Sequence, residues 1–310
     1  MFQLNVLALS CSVSFILLVF YTCGIIQGLS QNSNTTSQQP LNSSILQSYS
    51  RNLSSNSNID QSTKFVDVAK VLYDSHNYSQ AIQYLDKALA IDPDLPYALS
   101  LKGAMLVEMG RYHEGILWAE KALALDPNYF NALLTKGVAL TSLRNYSSAI
   151  TYLDKALAFN ANDTLLILNK GNAFSGLGRY NEAMFNFDRV LTTDPKDATY
   201  CPALYGKGTS LGDLHRYNEA TEYFDKILSI CPKDPYWVYV LYGKGISFAK
   251  LGMQDEAILN YDKALAIKPN YVDILHSKGW ALFSHLRIPE AITTMFKAYT
   301  LEKNDIIWDR

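Results

Sequence analysis

Apolar and small residues recur along this chain at helical spacing, and they recur in the same order. YLDKALAIDP (84–93) is followed by WAEKALALDP (118–127), YLDKALA (152–158) and YDKALAIKP (261–269). Ala88, Ala122 and Ala156 stand 34 residues apart. Gly103, Gly137 and Gly171 keep the same step, Gly208 and Gly245 follow after steps of 37, and Gly279 after another 34. Nine residues beyond the glycine comes an aromatic, Tyr112, Tyr146, Tyr180 or Tyr217. Twelve beyond comes a small residue, and twenty-four beyond comes Pro127, Pro195, Pro232 or Pro269. Apolar positions on both sides of polar turns such as MGRYHE (109–114) and LGRYNE (177–182) predict two helices per unit. The small residues suit close helix–helix approach, and the proline ends the second helix. One hairpin cannot bury both faces, so such units stack.

These positions resemble the large–small pattern of the tetratricopeptide repeat family over residues 62–305. Seven units begin near Ser62, Pro96, Phe130, Thr164, Cys201, Val238 and Val272. The first lacks the glycine but fits through Ala69, Tyr78, Ala81, Ala88 and Pro93; the last has Ile288 for the tyrosine and Lys303 for the proline. The resemblance implies an all-α fold, a right-handed α-solenoid of about seven helix-turn-helix repeats. It also implies a concave groove lined by first helices that binds a peptide or a partner protein. Residues 306–310 are read as a C-terminal tail.

Composition adds a compartment. Val6 to Ile26 is a 21-residue run without a charged side chain, long enough as a helix for the ~30 Å hydrocarbon core of a bilayer. Residues 1–30 are therefore a signal peptide, with a cleavage site after Ser30, or an uncleaved membrane anchor. In residues 31–60, 21 of thirty positions are Ser, Asn, Gln or Thr, and 31–61 reads as a disordered linker. N-glycosylation acceptor triplets start at Asn34, Asn42, Asn52, Asn77, Asn145 and Asn162, and matter only in an exported protein. The expected location is outside the cytoplasm, anchored through residues 6–26 or secreted. A formal charge of −2 gives no nucleic-acid footprint.

No catalytic constellation emerges. The five histidines show no metal-ligand spacing, there is no Gly-rich phosphate loop, and repeats fill the chain. No metal, cofactor or enzymatic activity is expected. Candidate groove residues are Asn169, Asn172, Tyr205, Tyr239, Tyr242, Trp280 and Phe283, the last five forming an aromatic cluster on first helices of repeats five to seven. The expected function is a scaffold for a protein or peptide partner. The alternatives are a binder of glycan or cell-envelope polymer through the aromatics, or a regulatory subunit of an enzyme.

Two pairings follow from register. Cys201 opens the first helix of repeat five and Cys231 ends its second, so in an exported protein a disulfide can join them. Six repeats carry an acid at one point of the second helix (Asp86, Glu120, Asp154, Asp188, Asp225, Asp262), and six carry a lysine before the first-helix glycine (Lys102, Lys136, Lys170, Lys207, Lys244, Lys278). Phe296 replaces the acid in the last repeat and Val68 the lysine in the first. This asymmetry predicts that each acid pairs with the lysine of the next repeat.

Overall fold

The computed structural model describes residues 58–231 and 237–308. Segment 6–26, most of the linker, and Asn34, Asn42 and Asn52 lie outside the described residues. Among the described residues there are fourteen helices and no strand. They are α1 (Asn58–Asp74), α2 (Tyr78–Ile91), α3 (Pro96–Glu108), α4 (Tyr112–Leu125), α5 (Phe130–Ser142), α6 (Tyr146–Leu157) and α7 (Thr164–Gly176), then α8 (Tyr180–Val190), α9 (Tyr200–Asp213), α10 (Tyr217–Ile230), α11 (Trp237–Lys250), α12 (Gln254–Ile267), α13 (Val272–Ser284) and α14 (Ile288–Trp308). Among them, no helix is long and apolar enough to cross a membrane.

Packing divides the described residues after Leu177 into two units, α1–α7 and α8–α14. Within each, a second helix packs on the first helix of the next repeat, and successive first helices also touch: α3 with α5 and α5 with α7 in one, α9 with α11 and α11 with α13 in the other. This is the helix-pair packing of a tetratricopeptide solenoid. Two boundaries differ from the sequence reading. Helix α1 starts at Asn58, so the last residues assigned to the linker are helical, and α14 runs on to Trp308 because Lys303 stands where other repeats have the stopping proline.

The turn chemistry repeats seven times. His76, Gly110, Arg144, Gly178, His215, Gly252 and Leu286 occupy the same place after the first helix, all with φ between 57° and 80°. This left-handed residue closes the helix, as where the Arg111 N–H reaches back to the Leu106 carbonyl at 2.8 Å. The close approach of helices explains the paired glycines of YGKG (205–208). A Cβ on Gly206 would stand 2.4 Å from the Phe187 ring of the preceding repeat, and one on Gly208 would stand 3.0 Å from Phe224 of its own repeat. Helix α9 thus receives one ring on each side.

Cys201 and Cys231 are joined in a disulfide with Cα atoms 6.1 Å apart, tying the start of α9 to the end of α10.

All six inter-repeat pairs are formed. Lys136–Glu120 (2.7 Å), Lys170–Asp154 (2.5 Å) and Lys278–Asp262 (2.6 Å) are accompanied by Lys102–Asp86, Lys207–Asp188 and Lys244–Asp225. The two partners differ in burial. Lysine side chains are 11–21% exposed and the acids 50–58%. Each ammonium in repeats two to six also sits over a ring. Lys102 lies 3.7 Å from the Trp118 centroid, Lys136 4.3 Å from Tyr152 and Lys207 4.8 Å from Tyr223. Where that second-helix position is Asn186 or Asn260, the ring is supplied four residues after the lysine, by Phe174 (5.7 Å) and Phe248 (5.5 Å). Burial alone would lower the Lys136 and Lys207 pKa values; the bonds to Glu120 and Asp188, with the Tyr152 and Tyr223 hydroxyls, outweigh it and raise both.

The burial difference sets the sign of a mutational test. Asp86→Asn replaces the charged partner of a buried ammonium by a neutral amide, with the Trp118 face unchanged, and should cost about 1–2 kcal/mol. Lys102→Met leaves an exposed carboxylate in water and should cost ~1 kcal/mol or less. Urea denaturation of the two variants measures both; equal costs would remove the account.

Candidate interaction surface

Four of the seven candidate groove residues are buried. Asn169 is 5% exposed, and its amide donates to the Leu165 carbonyl at 2.8 Å, one turn back on its own helix. Asn172 is buried beside it on α7. Neither side chain reaches out for a ligand. Tyr205 is buried on α9 with its ring 6.1 Å from Phe224. Tyr242 is 2% exposed; its hydroxyl lies 3.0 Å from Ser277 Oγ, and it donates more weakly to the Asp273 carbonyl at 3.4 Å. Burial holds both phenols well above their ordinary pKa. These two rings fill the space between helices of repeats five to seven, so the sequence-expected cluster of five loses two members to the core.

What remains at the surface is smaller and includes residues the sequence reading passed over. Tyr239, half-buried near the start of α11, meets Tyr271 edge to face with centroids 5.9 Å apart. Lys268 stands 4.7 Å over the Tyr271 ring. A shallow depression of about 220 Å³ lies beside them, lined by Val238, Tyr239, Ile267 and Lys268. It is smaller than the few-hundred-Å³ clefts that enclose small ligands. A signal for Tyr271 was present in the sequence, because Pro-Asn-Tyr occurs at the same turn in two repeats, ending at Tyr129 and Tyr271. Trp280 and Phe283 are exposed and pack edge to face, 6.0 Å apart, on α13.

The acceptor asparagines Asn77, Asn145 and Asn162 are all exposed and lie in turns or at helix starts. Asn77 caps α2 by accepting from the Gln80 N–H, and Asn145 holds the N-cap position of α6 without a side-chain bond. Among the described residues, no three His, Cys, Asp or Glu side chains converge as metal ligands would. His76 and His215, in the turns, instead bond the neighbouring Tyr78 and Tyr217 hydroxyls at 2.9 and 2.7 Å.

Family models locate the same units. Residues 166–197, 202–234 and 238–271 match tetratricopeptide repeat models. Residues 74–156 match the model described as anaphase-promoting complex, cyclosome, subunit 3. This chain is a tetratricopeptide repeat protein. A tetratricopeptide repeat protein of Parabacteroides merdae superposes with a TM-score of 0.59 at 16% identity, covering 84% of this chain and 99% of that one. MamA from Desulfovibrio magneticus gives 0.49 at 20% identity, over 55% of this chain and 95% of that one. At 16% identity the likeness to the Parabacteroides protein is one of fold. No curated protein matches the sequence.

Proposed function

We propose that this tetratricopeptide repeat protein is a non-enzymatic scaffold, exported and tethered by its N-terminal segment, that binds a partner polypeptide on repeats six and seven. The observation that carries the reading is the Tyr239–Tyr271 pair with Lys268 over it, set on helices whose register is fixed by the lysine–acid ladder. Half-buried tyrosines offer large, rigid contact area with a polar tip, which is what protein interfaces select. Lys268 adds a cation for a carboxylate on the partner. Export is supported by the disulfide, which persists in oxidising compartments, and by the exposed acceptor asparagines.

The test is a Tyr239→Ala/Tyr271→Ala double variant, affinity-purified from native membranes beside wild type. Loss of a two-tyrosine anchor should weaken the main co-purifying polypeptide roughly thirtyfold or more. Equal recovery from a variant with unchanged helical circular dichroism would reject this face.

A further inference from the structure

The last repeat ends on a face unlike any inside the array. In repeat six, Ile246, Ala249, Ile258 and Leu265 are buried or half-buried in a core shared with Ile274, Ala281 and Leu282 of repeat seven. The corresponding residues of repeat seven are Trp280, Phe283, Ile292 and Tyr299, and the residue matching Asp262 is Phe296. Positions that receive the next repeat elsewhere are 51–65% exposed here. A repeat face left in water is expected to be polar. This one carries four aromatic rings and an isoleucine.

The face is also free of unpaired charge along its centre. Among the described ionic groups of α14, Glu290 is engaged with Arg287, Lys297 with the Pro269 carbonyl and Glu302 with His276, while Lys303 stands one turn beyond Tyr299 at the end of the face. Ile292, Phe296 and Tyr299, spaced four and three apart, form one apolar stripe on α14.

We propose that this face docks a second copy of the chain, two-fold symmetrically, with α13 and α14 of one protomer against those of the other. Area and charge both argue for it. Rings of this size at these exposures, with Ile292, offer on the order of 600 Å² per copy, and Leu286 and Ile288 add to the edge. A standard-size interface needs ~800 Å² per partner. In a two-fold interface each patch meets itself. An acid at the position of Asp86 through Asp262 would there face its own copy and repel it, whereas Phe296 stacks. Head-to-tail growth of the array has no such fit, because Val68, which takes the place of the ladder lysine in repeat one, is buried at 6% and cannot reach Phe296 of another copy. The inference stands apart from the polypeptide-binding face at Tyr239 and does not depend on it.

Sedimentation of the full-length chain in a non-ionic detergent tests it. Wild type should sediment as a dimer. Phe296→Asp should raise the dissociation constant at least roughly thirtyfold and give monomer, while Phe185→Asp, at an equally exposed ring on α8, should leave the dimer intact. In a Cys11→Ser/Cys23→Ser background, Phe296→Cys under mild oxidation should yield a covalent dimer that the background alone does not. A monomeric wild type would overturn the proposal, because the face is then covered by another segment or another partner. Species larger than a dimer, a dimer that survives Phe296→Asp, or no covalent dimer from Phe296→Cys would overturn it as well.

Discussion

Replacing both Cys201 and Cys231 with alanine should lower the stability of the α8–α14 unit by about 3–4 kcal/mol. The bond closes a loop of 30 residues, and a loop of that size removes about that much entropy from the unfolded chain. The two thiols sit at ends of α9 and α10 that the hairpin already brings together, so the native state gives back little of the gain. With a typical urea dependence, the midpoint should fall by about 1–2 M. Wild type under reducing conditions should match the double variant. A midpoint that stays in place would show that repeat five is held by its helix packing alone.

Glu108 should make the α1–α7 unit less stable as pH rises, against the usual direction for a carboxylate. It lies at the C-terminal end of α3, and burial pushes its pKa up to about 7. The phenols of Tyr73 and Tyr78 are raised by burial first and by the Glu108 charge second, Tyr78 to about 12, so all three share one desolvated corner with Asp74 nearby. A folded-state pKa above the unfolded value means that the native protein binds the extra proton. Stability is therefore full below the unfolded value near 4.5 and is lost as pH climbs through 7. Glu108→Gln, neutral at every pH, should be about 2–3 kcal/mol more stable than wild type at pH 8 and nearly equal to it below about pH 4. Urea melts at the two pH values decide it. A constant difference between the proteins would show that Glu108 is solvated.

The parts of this structure that repetition writes seven times were legible in the sequence. Glycine spacing gave the helix pairs. The absence of an acid only at Phe296 and of a lysine only at Val68 was enough to assign six ion pairs across repeat boundaries, since a pair within a repeat would leave no such asymmetry. What depends on the direction of one side chain was not legible. A position on a first helix does not reveal that Asn169 turns back to the Leu165 carbonyl, nor that Tyr205 and Tyr242 are swallowed where repeats five to seven pack. The exchange of Tyr152 or Tyr223 for Phe174 or Phe248 under the ladder lysines joins positions on different helices, which no single-helix periodicity connects. Trp280 and Phe283 look like groove residues by their place on α13. They belong to the end face because no eighth repeat among the described residues covers them.

A photo-activatable amino acid introduced at Tyr239 of the full-length chain and irradiated in native membranes should give a discrete crosslinked polypeptide if repeats six and seven bind a partner, and none when placed at Phe185, an exposed ring on α8. Crosslinks of equal yield from both positions, or none from 239, would contradict that reading.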